Sequence, residues 1–247
     1  MAQMLITILT VVYNSEKTIA KTIESVLSQT YDNIEYIILD GSSTDATVQI
    51  ARSYQQVFDS HPGRSLTVIS EPDRGMYDAL NKGAQLAKGE LVGQINGDDW
   101  YEPDAVATMA ELYHQENYDA AWGSIRIKKA SGDMIKHARI GKLWTTTGWC
   151  HPGMFSRRGI LLAFPYPLET MYDDFDYITA VRKAGKKIVT IDKVVSNFAF
   201  GGQSTHKSLK EVKRRVGITY GIYRKYGMSR LYWFHRCALE LVKYLLG

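Results

Sequence analysis

The sequence is short of several features that would narrow its function at once. In 247 residues there is no uninterrupted apolar run of about 18, so a membrane-spanning helix is not expected. No charged segment precedes the first apolar run, so no secretory signal is expected either. Cysteine occurs only twice, at Cys150 and Cys237, too far apart for a metal-ligand spacing; a reduced, cytoplasmic setting is the expectation. Repeats and low-complexity tracts are missing. So are G-x-G-x-x-G after the first strand and G-x-x-x-x-G-K-[ST] anywhere, which weighs against a dinucleotide oxidoreductase and a P-loop NTPase.

Apolar content, at 45%, is ordinary and supports one large domain or a domain with an appendage. The net charge of +4 is unevenly spread. Residues 207–247 hold ten Lys/Arg and only two acids, Glu211 and Glu240, so the preceding part is net acidic. A composition boundary near residue 207 follows.

Strand and helix signals alternate through the first hundred residues. Short β-rich runs at 5–12, 34–39 and 66–69, and one ending at Asn96, are separated by helical stripes. The first stripe is Ile19, Ile23, Val26 and Leu27, with Asn14 and Ser15 as candidate caps. A second runs through Val48, Ile50 and Ala51, and a third over 77–87. This alternation predicts right-handed βαβ units and a parallel sheet. After a helix near 103–116 the pattern changes. Runs at 122–127 and 134–137 flank Ser131-Gly132, a hairpin signal, and 154–155 and 188–191 are further strands around a helix over 175–184. The second half is therefore expected to be mixed.

The chemistry-bearing residues sit at the ends of these runs. Asn96-Gly97-Asp98-Asp99-Trp100 follows an apolar strand, and ligands of open α/β sheets lie at the carboxyl ends of strands. Adjacent carboxylates there suit a hard divalent cation that also holds phosphates, or else form a polar loop before the helix that Glu102-Pro103-Asp104 begins. Asp40, ending the second strand, either receives a nucleobase N–H or ribose hydroxyl or caps its own turn. Tyr13 either stacks on a base or joins the core. Asp173, Asp174 and Asp176 precede a helix, where acids complement the dipole, and one of them is a candidate general base. His151 is either a substrate contact or a structural histidine. His206, after Gly201-Gly202-Gln203-Ser204-Thr205, is either a metal ligand or a surface residue.

In order, these segments resemble family 2 of the inverting glycosyltransferases, which have the GT-A fold. The resemblance is carried by Ile6-Thr7-Ile8-Leu9-Thr10-Val11-Val12-Tyr13-Asn14, by Asp40-Gly41-Ser42-Ser43-Thr44-Asp45, by the stretch from Asp73-Arg74-Gly75 to Asn81-Lys82-Gly83, and by Asn96-Gly97-Asp98-Asp99. It continues more loosely to Asp173-Asp174-Phe175-Asp176 and Gly201-Gly202-Gln203-Ser204. Residues 75–83 and His151-Pro152-Gly153 are most similar to members that build bacterial capsule, exopolysaccharide or lipopolysaccharide chains. The resemblance implies an α/β fold with a Rossmann-like, mostly parallel central sheet and helices on both faces. Residues 1–206 would form the GT-A domain, with a nucleotide-sugar half over 1–100 and an acceptor half over 101–206. Residues 207–247 would be a basic, amphipathic helical tail.

It also implies roles. Tyr13 and Asp40 would hold the nucleobase, and Asn96 would take the first place of the D-x-D motif, facing ribose and diphosphate. Asp98 would take the second place, as ligand of Mn²⁺ or Mg²⁺, with His206 as a further candidate ligand. Asp73, Asn81, Lys82 and Asp99 complete the donor-side set. Asp174 would be the base, with Asp173, which replaces the family's usual Glu, as the alternative; His151 and Asp176 would lie on the acceptor side. The implied reaction moves a hexosyl or N-acetylhexosaminyl group, from a UDP-sugar in the first instance, to a hydroxyl of a glycan or lipid-linked acceptor. The competing readings are a sugar nucleotidyltransferase and a non-catalytic nucleotide-sugar-binding subunit. For the tail, basic and aromatic residues suit an anionic membrane surface at the inner face of the cytoplasmic membrane, or else a helical cap or homo-oligomer contact. No nucleic-acid reading motif is present.

Overall fold

A computed structural model describes residues 3–129, 131–143, 145, 148–149, 151–199 and 208–246. The first strand, β1 (Ile6–Val12), is buried throughout because it carries apolar side chains on both faces. Ile6, Ile8 and Val12 enter one core with Ile19, Ile23 and Val26 of helix α1 (Ile19–Leu27). Leu9 and Val11 enter a second core on the opposite face, with Ala79, Leu80 and Ala84 of helix α4 (Met76–Leu86). The period-2 alternation of one strand thus separates the two helical layers. Gly83 lets α4 lie close to the sheet, since a Cβ there would sit 2.6 Å from Leu39 Cδ1 and 2.9 Å from Leu9 Cδ1.

Strands β2 (Ile34–Asp40), β3 (Arg64–Ser70) and β4 (Leu91–Asn96) join β1 in the order β3-β2-β1-β4, all parallel. Helices α2 (Thr47–Ser53) and α3 (Gln55–Asp59) connect β2 to β3. The registers Val12↔Asp40, Val11↔Asn96 and Asp40↔Ser70 end these strands level. Their carboxyl ends therefore form one edge, where Tyr13, Asp40 and Asn96 sit side by side.

Beyond β4 the sheet becomes mixed, as expected. Strand β5 (Trp100–Tyr101) and helix α5 (Ala105–Glu116) lead into β6 (Ala120–Lys128), which pairs antiparallel with β7 (Met134–Lys136). The hairpin turn carries Gly132 at φ +118, a backbone conformation that suits glycine. Strand β8 (Met154–Arg157) lies antiparallel between β4 and β6, and β9 (Ile188–Ala199) runs parallel to β6 with β5 on its far side. Four of the eight pairings among the described residues are parallel, the three among β1–β4 and the one between β6 and β9, so only the first half is purely parallel. Helices α6 (Arg158–Ala163) and α7 (Asp173–Lys183) cover the face that α4 covers.

The tail forms α8 (Leu209–Lys225) and α9 (Tyr232–Leu246). Ser208 caps α8 by accepting the Glu211 N–H at 3.1 Å, and Ile222 and Tyr223 enter the second core. No helix among the described residues is long and apolar enough to cross a membrane. One local expectation is corrected: Asn14 and Ser15 do not cap α1, which starts after Thr18. Asn14 sits at φ +48 and its Oδ1 accepts the Thr44 N–H at 2.9 Å, while the Ser15 N–H donates to Thr47 Oγ1 at 2.7 Å. Both residues are drawn to the loop after β2.

Candidate active site

The level strand ends open into a cavity of about 930 Å³ lined by residues 11–18, Gly41, Asp45, Asp73, Gly75, Met76 and Asn96-Gly97-Asp98. Its floor is held by short polar ties between the loops after β1 and β2. Besides the bonds of Asn14 and Ser15, the Glu16 N–H donates to Asp45 Oδ2 at 3.1 Å and the Ala46 N–H to Glu16 Oε2 at 3.1 Å. Tyr13 stands exposed on the wall. Asp73 lies beside Gly41, where a Cβ would come within 2.8 Å of Asp73 Oδ2, and accepts the Gly75 N–H at 2.8 Å. Asp40 is buried, and its carboxylate is engaged by the Ser43 N–H (2.9 Å), Ser70 Oγ (2.7 Å) and the Ser43 hydroxyl. It holds the turn that brings Gly41 to the cavity.

Two residues expected on the donor side fall outside it. Asn81 makes a reciprocal pair with the Tyr166 backbone, donating Nδ2–H to the carbonyl at 2.8 Å and accepting the N–H at 2.9 Å. Lys82 pairs with Glu71 at 2.8 Å and donates to the Pro72 carbonyl at 3.1 Å. Only the first turn of α4 meets the cavity, and both residues lie more than one turn further on.

The turn after β4 separates three neighbouring residues by role. Gly97 packs where a Cβ would meet Val12 Cγ1 at 2.4 Å. Asp99 is fully buried, accepting the Ala199 N–H at 3.0 Å and Asn96 Nδ2–H at 3.2 Å. Burial, and then the neighbouring charge of Asp98, pushes the Asp99 carboxyl up to about 8. It is an anchor between β4 and β9 rather than a ligand-facing acid. Asp98 faces the cavity and its carboxyl is raised by burial, offset only by its own backbone N–H. No ion pair to Asp98 forms among the described residues.

A half-buried carboxylate with no countercharge fits a cation. With Asn96 Nδ2 directed to Asp99, its Oδ1 remains as a second oxygen donor beside Asp98. No group of three His, Cys, Asp or Glu that could hold a metal occurs among the described residues. This oxygen set suits Mg²⁺ or Mn²⁺ shared with phosphate oxygens rather than caged by protein. His206 lies outside the described residues.

Asn96, Asp98, Gly75 and Met76 also line a second cavity of about 750 Å³, which extends to Thr170, Asp173 and Phe198 and to Arg214 and Ile218 of α8. Phe198 in turn borders a smaller cavity of about 250 Å³ containing Trp149, His151, Tyr172 and Asp174. The three spaces follow one another from Tyr13 past Asp98 to Asp174: the first two share Gly75, Met76, Asn96 and Asp98, and the last two share Phe198.

The three acids of α7 diverge along this line of cavities. Asp173 is buried and accepts the N–H groups of Thr170 (2.8 Å) and Glu169 (3.1 Å) and the Thr170 hydroxyl (3.0 Å), so it shapes the preceding loop. Burial raises its carboxyl. Asp174 accepts Trp149 Nε1–H on one oxygen at 3.1 Å and the Phe175 N–H on the other at 2.8 Å, leaving lone pairs toward the small cavity. Asp176 is not on the acceptor side. It is buried against the tail, bound by Lys225 Nζ at 2.9 Å and the Tyr226 hydroxyl at 2.6 Å. Two residues are about 200° apart on a helix, so Asp174 and Asp176 face opposite ways.

His151, on a 3₁₀ turn over His151–Gly153, buries both ring nitrogens without a hydrogen bond to the described residues. Tyr77 meets its ring edge-on at 6.5 Å. Burial lowers its pKa against the pull of Asp174. Trp149 and Arg214 were not anticipated. Trp149 stood in view two residues before His151, but its tie to Asp174 crosses 25 positions. Arg214 has no local signal at all.

The family model described as "Glycosyl transferase family 2" matches residues 7–176. The chain is 28% identical over 203 residues to a PGL/p-HBAD biosynthesis glycosyltransferase of Mycobacterium bovis, covering 80% of this chain and 78% of that protein. It is 38% identical over 104 residues to EpsH of Bacillus subtilis, covering 42% of this chain but only 29% of that protein's length. Among solved structures, S. aureus TarS 1–349 in complex with UDP superposes with a TM-score of 0.67 at 18% identity, over 98% of this chain and 71% of that one. The mannosyltransferase PcManGT from Pyrobaculum calidifontis, in complex with GDP-Man and Mn²⁺, gives a TM-score of 0.67 at 17% identity, over 100% of this chain and 76% of that one. At these identities the structures establish the GT-A fold alone.

Proposed function

The chain belongs to glycosyl transferase family 2 and is a glycosyltransferase, and from that premise we propose that it transfers a sugar from a nucleoside diphosphate to an acceptor hydroxyl with inversion. The observation that carries this reading is the succession of neighbouring cavities from the strand ends, past Asp98, to Asp174. Tyr13 and the Asp40 turn hold the nucleobase end, Asp73 and Asn96 flank the diphosphate, and the sugar projects into the second cavity. Asp174 takes the proton of the acceptor hydroxyl. That oxygen bonds to the anomeric carbon while the bond to the diphosphate breaks on the opposite face, releasing the nucleoside diphosphate. A single displacement of this kind inverts the anomeric centre. His151, in the same small cavity and with both nitrogens unpartnered among the described residues, binds a neighbouring hydroxyl of the acceptor.

Asp98 and Asn96 would hold Mn²⁺ or Mg²⁺ together with the diphosphate, as a Lewis acid that neutralises the leaving group's charge. We favour Asp174 over Asp173 as base because Asp173 is enclosed by the Thr170 and Glu169 groups. A uridine nucleotide is the first expectation, and the complexes of TarS with UDP and of PcManGT with GDP-Man place both nucleotides on this fold. The acceptor is a glycan or lipid-linked acceptor of bacterial surface polysaccharide synthesis, in keeping with the likeness to a PGL/p-HBAD biosynthesis glycosyltransferase. This reading sets the chain in the cytoplasm, working at the inner face of its membrane. The division into a body over 1–206 and a tail over 207–247 stays part of the proposal, with peripheral membrane contact or self-association as the tail's partners.

The test is a donor screen, reading nucleoside diphosphate release from UDP-, GDP- and dTDP-sugars, with calorimetry of nucleotide binding with and without Mn²⁺. Wild-type protein is expected to turn over one donor class, and Asp98→Ala to lose metal-dependent binding. Normal metal-dependent binding by Asp98→Ala would overturn the metal assignment. Release from none of the donors, with binding intact, would overturn the catalytic reading.

A further inference from the structure

Helix α9 has its amphipathic character reversed. Its protein-facing side carries the charges: Arg236 is 2% exposed and Glu240 1% exposed, paired at 2.9 Å, with Arg215 of α8 at 3.9 Å from Glu240. The Arg236 guanidinium lies over the Tyr172 ring, 5.4 Å from its centroid, and donates to the Tyr172 hydroxyl at 3.3 Å. The solvent side carries the apolar residues. Phe234 is 63% exposed, and the exposed Leu241 and Val242, seven and eight residues on, share its face two helical turns away. Trp233 and Tyr244 are also exposed, and Leu231, just before the helix, is 70% exposed. A helix facing water at the surface of a soluble domain shows the opposite arrangement.

The charges around this face say what covers it. Arg214, Arg215, Lys225 and Arg236 are neutralised within the fold. Lys210, Lys213, Arg224 and Arg230 are exposed and form no ion pair with described residues. Arg224 and Arg230 flank the turn that leads to Leu231, Trp233 and Phe234. A second copy of the chain would bring the same uncompensated positive charge to the contact, whereas an anionic surface would neutralise it. Trp and Tyr at the edge of an apolar stripe suit the boundary between headgroups and acyl chains.

We propose that α9 docks flat on an anionic lipid surface, with Leu231, Phe234, Leu241 and Val242 in the acyl boundary and Arg224 and Arg230 on the headgroups. A helix with this composition lies in the interface plane and does not span it. This deepens the membrane-contact part of the proposed function, and it needs neither donor nor acceptor, so it stands or falls apart from the transfer chemistry. Because the opposite side of α9 grips Tyr172, docking also holds the Asp174 cavity near the lipid surface.

The experiment is flotation of the full chain, without nucleotide, on vesicles of phosphatidylcholine alone and of phosphatidylcholine with phosphatidylglycerol. Binding to the anionic vesicles only, suppressed by salt, is expected. Phe234→Asp combined with Leu241→Asp should weaken it by roughly a hundredfold or more. Arg224→Ala and Arg230→Ala should each weaken it by about fivefold. Both residues of the first pair face solvent, so the variants should keep the wild-type melting temperature and nucleotide binding. Three outcomes overturn the proposal: no flotation on anionic vesicles, equal flotation by the Phe234→Asp/Leu241→Asp variant, or loss of a wild-type dimer in that variant with no vesicle binding by either, which would make the face a self-interface.

Discussion

The two sides of the Asp98 turn are built by different means. On the donor side, residues a few positions beyond strand ends are tied directly, a backbone N–H of one loop to a side-chain oxygen of the other: Thr44 to Asn14, Ser15 to Thr47, Glu16 to Asp45. Four level parallel strands bring those loops together, so the site is nearly complete once the sheet forms. On the acceptor side, Asp174 belongs to a helix whose first turn is gripped from elsewhere. Trp149 donates to Asp174 itself, Arg236 holds Tyr172, and Lys225 and Tyr226 hold Asp176. Residues 172 and 176 bracket the proposed base, and the tail holds both. The proposed binding half is thus a product of local turns, and the proposed reacting half a product of long-range packing.

The largest expected effect separates the two halves outright. Asp174→Asn keeps the volume and one acceptor oxygen, for either Trp149 Nε1–H or the Phe175 N–H, but cannot take a proton. Transfer should fall by about 10²–10⁴-fold, the usual worth of a general base. Donor affinity by calorimetry should stay at the wild-type value, because no donor-cavity residue changes. An unchanged transfer rate would remove Asp174 from the mechanism and leave the halves undivided.

Arg236→Met probes how far the reacting half depends on the tail. It removes the partner 2.9 Å from the buried Glu240 and leaves Arg215 at 3.9 Å, and breaking such a pair typically costs about 3–5 kcal/mol of stability. Arg236→Met with Glu240→Met should recover most of that, since packed apolar residues replace a buried pair with little loss. Denaturant melts of both variants check the stability, and steady-state rates check the site. If the double variant regains stability and donor KM but keeps a reduced kcat, the pair orients Tyr172 and through it the base. If kcat returns as well, the pair only secures the fold.

This division also explains what the sequence disclosed. The placing of Asn96 and Asp98 at the cavity-bearing edge of the sheet was legible, because an apolar run that ends in acids marks a strand end and parallel strands end together. Asp40, Asn81 and Lys82 were legible as part of a pattern but not in their direction. Whether Asp40 turns to a ligand or to Ser43 and Ser70 depends on neighbours 3 and 30 positions away. Asn81 and Lys82 follow the helix away from the cavity. Asp176 looked equivalent to Asp174 until the helical period put it on the other side. The tail was read from its composition as basic and amphipathic. Composition does not say which face is buried, and here the buried face is the charged one.

Gly97→Ala tests the donor side by the same kind of local contact that builds it. The added Cβ would meet Val12 Cγ1 at 2.4 Å, and a buried, β-branched valine has little freedom to yield. A loss of about 1–3 kcal/mol in stability is expected, with weaker nucleotide binding as the Asp98 turn moves. The transfer rate at saturating donor should change less than the affinity. A lowered kcat with normal affinity would show that the Asp98 turn reaches into the reacting half.

The smallest effect is a pH dependence confined to the acceptor side. His151 is held neutral by burial, with Asp174 opposing that shift only in part. Once unfolded, the imidazole titrates near about pH 6.5. Below that value the unfolded chain binds more protons than the folded one, so this residue removes stability as pH falls and removes none well above it. His151→Gln does not titrate and should flatten that part of the acid limb, while leaving stability on the alkaline side of the histidine range close to wild type. Denaturant unfolding on both sides of about pH 6.5 reads the difference directly. Nucleotide affinity should show no matching change between the two proteins, because His151 touches neither Asp98 nor the strand-end cavity. Parallel acid limbs in wild type and variant would show that the acceptor cavity already admits water to the ring, and the two halves would then differ in architecture but not in polarity.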